Sequence, residues 1–344
     1  LKPRFEGQPK FHRNIRGFHF NVICWLMGAA ALFWQVIFIF GHHFLLAERS
    51  HRQNVLAALD DPKRDSNPMA AVFRDIRSQN FFKKRRRRSC LQEDALRTLL
   101  KELGFRDKDL TNLYAMTGVV WNECDVVSIN LKDWRSMRAG KLDKRIGELV
   151  KLAYFKINFP YITGELSVFQ GAAELQKLDL ASTKVSGDLA CFENLTKLSG
   201  LRLSNTNVFG DLSGLSKAKS LISLNLAHTH VSGDLRQIEN ATELFSLHLG
   251  FTKVIGNLAA LQKTRRLISL DLANTEVLGD LSSLESASEL TDLLLPNTSV
   301  AGDLSGLRKA TELIRLSLSN TEVSGNLSNL DKASNLIFLH LAYT

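Results

Sequence analysis

The sequence lacks the short patterns that most often mark a reaction site. No G-x-x-x-x-G-K-[ST], G-x-G-x-x-G, H-E-x-x-H, G-x-S-x-G or C-x-x-C occurs in its 344 residues. The chain therefore reads as non-enzymatic, with no cofactor and no catalytic residue to nominate. Cysteine is scarce too. Cys24, Cys90, Cys124 and Cys191 are too few for a disulfide scaffold, and one lies in an apolar run, so the redox compartment stays open. The third shortage is of net charge in the larger part of the chain. Residues 111–344 hold 23 Lys and Arg against 24 Asp and Glu, whereas residues 1–110 hold 21 against 11. The overall formal charge of +9 belongs to the front, and the nearly neutral remainder lacks the positive face that nucleic acid requires.

What the chain does contain is one sentence of 23 residues, repeated. Its clearest copy, 221–243, reads LISLNLAHTHVSGDLRQIENATE, and copies start at 152, 175, 198, 221, 244, 267, 290 and 313, with a partial ninth at 336. A fixed short period means a solenoid. Within the copy Leu221, Leu224 and Leu226 alternate as a short strand, Thr229, Val231 and Gly233 mark a turn, and Leu235, Ile238 and Ala241 return to the core at helix-like spacing. One coil cannot bury these residues alone, but stacked coils share a core. At about 5 Å per coil they make a curved rod.

The L-x-x-L-x-L spacing resembles the leucine-rich repeat family, and the V-x-G-x-L continuation looks like its plant-type class. The fold expected is an α/β solenoid with a parallel sheet on the concave face. Asparagine, which bridges neighbouring coils in that family, is replaced here by Thr183, Thr206, Thr229, Thr252, Thr275, Thr298 and Thr321. A threonine hydroxyl is expected to keep the cross-coil role. The T-x-V-x-G-D-L variant is similar to repeats of algal and protist proteins. Trp121 and Cys124 before VVSINL resemble the cap of plant-type repeats, and Val126, Ile129 and Leu131 make an early, divergent repeat. That cap commonly holds a disulfide, for which Cys90 is the partner available to Cys124; the residues leave the pairing open.

Residues 20–40, FNVICWLMGAAALFWQVIFIF, carry no charge and are long enough to span about 30 Å of hydrocarbon. The domains expected are a basic segment 1–18, a transmembrane helix 19–46, a juxtamembrane helical and polybasic region 47–110, a cap with divergent first repeat 111–151, and repeats 152–344. Flanking charges leave the orientation of the span open. The first residue is Leu1, which suits a processed form or a fragment, and the last strand stops at Thr344 without a cap, so further protein or a partner is expected there. The basic run Lys83, Lys84, Arg85, Arg86, Arg87 and Arg88 is either solvated or in contact with anionic lipid or an acidic partner. A following helix, SCLQEDALRTLLKEL, is expected to start on a capping box of Ser89 and Gln92 and end at Gly104.

Several columns recur at the period. Asp188, Asp211, Asp234, Asp280 and Asp303, with Asn257 and Asn326, are read as N-caps rather than calcium ligands. The outward strand column varies: Asp179, Arg202, Asn225, His248, Asp271, Leu294, Ser317 and His340, beside a second column that includes His228 and Phe251. Asp179, Arg202, Asn225, His228, His230, His248, Phe251 and Asp271 are the candidate protein-binding residues, with the three histidines and Phe251 as the expected hot spot. The apolar second positions, Ile222, Phe245, Ile268, Ile314 and Ile337, are expected to pack under the preceding turn or to form a lateral edge. N-x-[ST] occurs at Asn194, Asn240, Asn297 and Asn326, in a repeat whose composition favours chance matches. The whole reads as a membrane-anchored interaction scaffold, an accessory subunit of a larger membrane complex in an organelle membrane. Its competitor is a receptor-like ectodomain for a peptide or protein ligand.

Overall fold

The computed structural model describes residues 91–131 and 139–344, all within one compact unit, Arg87–Thr344. The expected span and the basic run lie outside the described residues. Among the described residues no helix is long and apolar enough to cross a membrane.

Each coil contributes one strand to each of two sheets and closes with a single 3-10 turn. The eleven-stranded sheet begins with the antiparallel pair Val119–Asn122 and Asp125–Asn130, then runs parallel from Tyr154–Lys156 to Phe338–His340. Its register is the repeat itself, with Leu224 beside Leu201 and Leu247. The nine-stranded sheet runs from Gly140–Lys141 to Glu322–Ser324 and is staggered, His230 pairing with Phe209 rather than Asn207. Leu221, Leu224, Leu226, Val231, Leu235, Ile238 and Ala241 are all buried between the sheets and the turn, as their spacing requires.

The glycine of V-x-G-D-L has a reason that the sequence does not state. Gly256 has φ +112, and a Cβ there would lie 2.5 Å from Asp234 Oδ1 and 2.9 Å from Leu235 N of the preceding coil. The carboxylate is there because it caps the turn. Asp234 Oδ1 accepts from Arg236 N at 2.7 Å, and Asp188, Asp211, Asn257, Asp280, Asp303 and Asn326 each accept in the same way from the residue two further on. Hydrogen bonds from Ser282 and Ser305 hold the Asp280 and Asp303 carboxyls below their ordinary value. Burial acts to raise Asp211, and the bonds from Ser213 and Gln237 outweigh it, leaving it lowered too. A lowered carboxyl stabilises the fold above its unfolded value and loses that contribution as pH falls through the folded one. Asp211→Ala is therefore expected to cost about 1 kcal/mol at neutral pH. In urea unfolding its deficit against wild type should shrink below about pH 4, and a deficit that does not change with pH would contradict the cap.

The threonines do not bridge coils. Thr229 Oγ1 donates to Leu226 O at 2.6 Å, Thr252 to Leu249 O at 2.6 Å and Thr183 to Leu180 O at 2.7 Å, each within its own coil. The side chain is short, and its own carbonyl is nearer than the next coil about 5 Å away. Coils are joined by backbone instead, Leu226 N to His248 O and His228 N to Gly250 O, both 2.9 Å.

The first coil is capped by helix α1, Leu91–Glu102, which ends as expected before Gly104 at φ +90. Its Ala95, Leu96, Leu99 and Leu100 are buried in the same core as the repeats. Ser89, the other half of the expected capping box, lies outside the described residues, and Gln92 reaches the early repeat. Its Oε1 accepts from Val126 N at 2.7 Å and its Nε2 donates to Asp125 Oδ1 at 2.9 Å, tying α1 to the early repeat. The sequence groups α1 with the basic segment before it, yet its apolar face belongs to the solenoid. Tyr114 stacks on Trp121 with ring centroids 4.4 Å apart, and Cys124 is disulfide-bonded.

Candidate protein-binding face

A strand alternates sides, so each coil shows two residues on the outer face of the long sheet, one on either side of its central leucine. The sequence reading took only the second of them. The first, Lys177, Gly200, Ser223, Ser246, Ser269, Asp292 and Arg315, was legible from the same alternation and was missed because it adjoins the conserved-looking spacing of the repeat rather than interrupting it. The first column is small from Gly200 to Ser269 and charged at both ends, at Lys177 and at Asp292 with Arg315.

At one end Lys156 Nζ lies 2.8 Å from Asp179 Oδ2, Asn158 Nδ2 donates to Asp179 Oδ1 at 2.8 Å, and Arg202 Nη1 stands 3.9 Å from the same carboxylate. In the middle His248 Nε2 lies 2.8 Å from Ser269 Oγ, and its Nδ1 lies 3.5 Å from Asn225 Nδ2. Asp271 Oδ1 accepts from Ala273 N at 3.1 Å, and a Cβ on Gly250 would lie 2.8 Å from that same oxygen. At the far end Asp292, 1 % exposed, is paired with Arg315 and accepts from Thr291 Oγ1 at 2.9 Å.

The expected hot spot is divided. His228 and Phe251 do meet, with ring centroids 4.4 Å apart and planes 14° from parallel. His248 stands on the long sheet, and His230 lies past Thr229 on the other sheet, paired with Phe209. Three residues of separation around a tight turn carry a side chain to a different face, which spacing alone does not reveal.

His228 and Phe251 share a further property. Ser182, Asn205, His228, Phe251, Asn274, Asn297 and Asn320 all have φ between 53 and 60. Asparagine tolerates that left-handed conformation and a bulky ring does not. The asparagines moreover form a ladder, Asn297 Nδ2 donating to Asn274 Oδ1 at 3.0 Å and Asn320 Nδ2 to Asn297 Oδ1 at 2.7 Å. Phe251 stands one coil before that ladder, in a strained backbone position, while 51 % of it faces solvent.

Apolar exposure elsewhere also differs from expectation. Ile222, Phe245, Ile268 and Ile314 are half-buried, while Ile337 is exposed. Phe209, Ile255 and Leu278 are among the exposed apolar side chains, on the outer side of the second sheet. Burial, aided by the Asp188 charge, pushes the Cys191 thiol up to about 12. Among the described residues no group of three His, Cys, Asp or Glu side chains is placed to hold a metal ion.

No protein-family profile matches the chain, and no curated protein matches it. Solved structures do. The PEPR1–AtPEP1 structure is similar at 24 % identity and a TM-score of 0.59, over 73 % of this chain and 42 % of that one. The leucine-rich-repeat ectodomain of the receptor kinase GASSHO1/SCHENGEN3 from Arabidopsis thaliana, solved with CASPARIAN STRIP INTEGRITY FACTOR 2, gives 20 % and 0.58 over 74 % and 35 %. A plant ice-binding protein gives 20 % and 0.53 over 74 % of this chain and 96 % of that one. The fold is that of a leucine-rich repeat solenoid, and the chain spans less than half the length of the two receptor structures.

Proposed function

We propose that the chain is a non-enzymatic protein-interaction solenoid, anchored by one span over residues 19–46, whose partner lies across the long sheet between Lys156 and Asp271 and against the Phe251 corner. The observation that carries this reading is Phe251, an exposed ring held where the backbone favours asparagine. A residue that costs stability where a better one is available is explained by work done outside the fold. The uneven charge of the face supports a specific protein rather than a repeating surface. Ice, by contrast, needs a periodic array, and the threonines that could supply one are buried.

Two settings fit such a face. In the first the chain is an accessory subunit, docking on a larger membrane complex, with Lys83, Lys84 and Arg85 to Arg88 against anionic lipid or an acidic partner and an organelle membrane as its place. In the second it is a receptor-like ectodomain for a peptide or protein ligand, as in the two similar structures solved with AtPEP1 and with the integrity factor. The disulfide at Cys124 favours the second, because such bonds persist in oxidising compartments.

The test is affinity purification of the full chain from membranes in mild detergent, comparing wild type with Arg202→Glu and Phe251→Asn. Both variants are expected to lose the proteins that wild type retains. Phe251→Asn is expected to gain up to about 1 kcal/mol of stability, because relief of the left-handed strain exceeds the lost ring stack. Equal recovery by all three folded proteins would refute the face.

A further inference from the structure

The four N-x-[ST] sites are alike in sequence, and the structure separates them into two pairs. Asn297 cannot change without loss, since its amide both donates to Asn274 and accepts from Asn320. Asn326 is equally occupied, its Oδ1 capping the last 3-10 turn through Ser328 N at 2.9 Å. A sugar leaves the carbonyl oxygen and one N–H of the amide in place, but these bonds fix both side chains against their coil, so neither is free to turn a large substituent into solvent. Asn194 and Asn240 stand differently. Each follows its 3-10 turn at the same place in the repeat, two coils apart, exposed to solvent and engaged in no side-chain hydrogen bond. Their acceptor threonines are accessible as well, Thr196 exposed and Thr242 half-buried. Both sites lie at the turn edge, away from the strands of the long sheet, so a large polar substituent there leaves the binding face clear.

We infer that Asn194 and Asn240 are sites of N-linked glycosylation, and that Asn297 and Asn326 are not. The disulfide at Cys124 is the independent observation, because an oxidising lumen is where both modifications are made. The donor is a lipid-pyrophosphate-linked oligosaccharide. The asparagine Nδ2 forms a bond to sugar C1 while the bond from C1 to the pyrophosphate oxygen breaks. The lipid pyrophosphate leaves with the electron pair, and one amide proton is lost to base. This inference stands apart from the binding face, since neither site contributes to it.

The experiment uses the full chain made in cultured insect cells and isolated with the membrane fraction. Peptide-N-glycosidase digestion in oxygen-18 water converts each glycosylated asparagine to labelled aspartate, read by peptide mass spectrometry. Label at 194 and 240, and none at 297 or 326, is the expected result. On a gel Asn194→Gln and Asn240→Gln should each remove one step of mass, and Thr196→Ala and Thr242→Ala should do the same while keeping the asparagine. Unlabelled Asn194 and Asn240 overturn the inference whether Cys124 is found oxidised or reduced, and so does label confined to Asn297 or Asn326. Partner recovery does not enter this readout, so it fails or holds independently of the binding face.

Discussion

Gly256→Ala is expected to lower stability by about 2–4 kcal/mol, although it adds one methyl group at a half-exposed site. Two causes act together. The backbone at φ +112 is one that an L side chain rarely adopts, and the new Cβ would press on Asp234 Oδ1 and Leu235 N, neither of which can yield without undoing the cap. Gly147→Ala is the control. It lies in the 3-10 turn Lys144–Glu148 at ordinary φ, where a Cβ would meet only Val168 O at 3.5 Å. Urea midpoints measure both, and hydrogen exchange should place the damage first in the coils around 256, because each coil contacts only its neighbours. An alanine variant with the wild-type midpoint would mean that the glycine column is not required by close approach.

Arg315→Met should cost about 3–5 kcal/mol, since it takes the guanidinium away from the buried Asp292 carboxylate. The side-chain volume is nearly kept, so a cavity is not the cause. Adding Asp292→Asn should recover most of the loss, because a neutral amide can still accept from Thr291 and no longer buries a charge. The double-mutant cycle then reports a large coupling between the two residues. If Arg315→Met alone costs under about 1 kcal/mol, or if the second change adds to the loss, the pair is not the buried unit described. The surface pairs, such as Lys197 with Glu174 at 2.6 Å, should contribute far less, being open to solvent.

These two residues also show where reading from sequence stops. Asp292 and Arg315 stand 23 residues apart in one column, so the period sets them on adjacent strands, but it does not say that Asp292 is almost wholly buried there. The glycine column was visible as a recurring letter, while its reason, a carboxylate from the coil before, was not.

The sequence by itself determined the period, the strand and turn of each coil, the buried leucines and valines, and the capping acids. These follow from local spacing, and stacking at a fixed period carries a local pattern unchanged into three dimensions. Only the tertiary structure decided where the variable side chains point. It sent the threonines to their own carbonyls, joined α1 through Gln92 to the first coil, divided the histidines among separate surfaces, and left Phe251 exposed at a left-handed turn. The physical reason is that each of these outcomes depends on side-chain direction around a turn only three residues wide, or on a contact outside the 23-residue period such as Gln92 with Val126, and periodicity records neither.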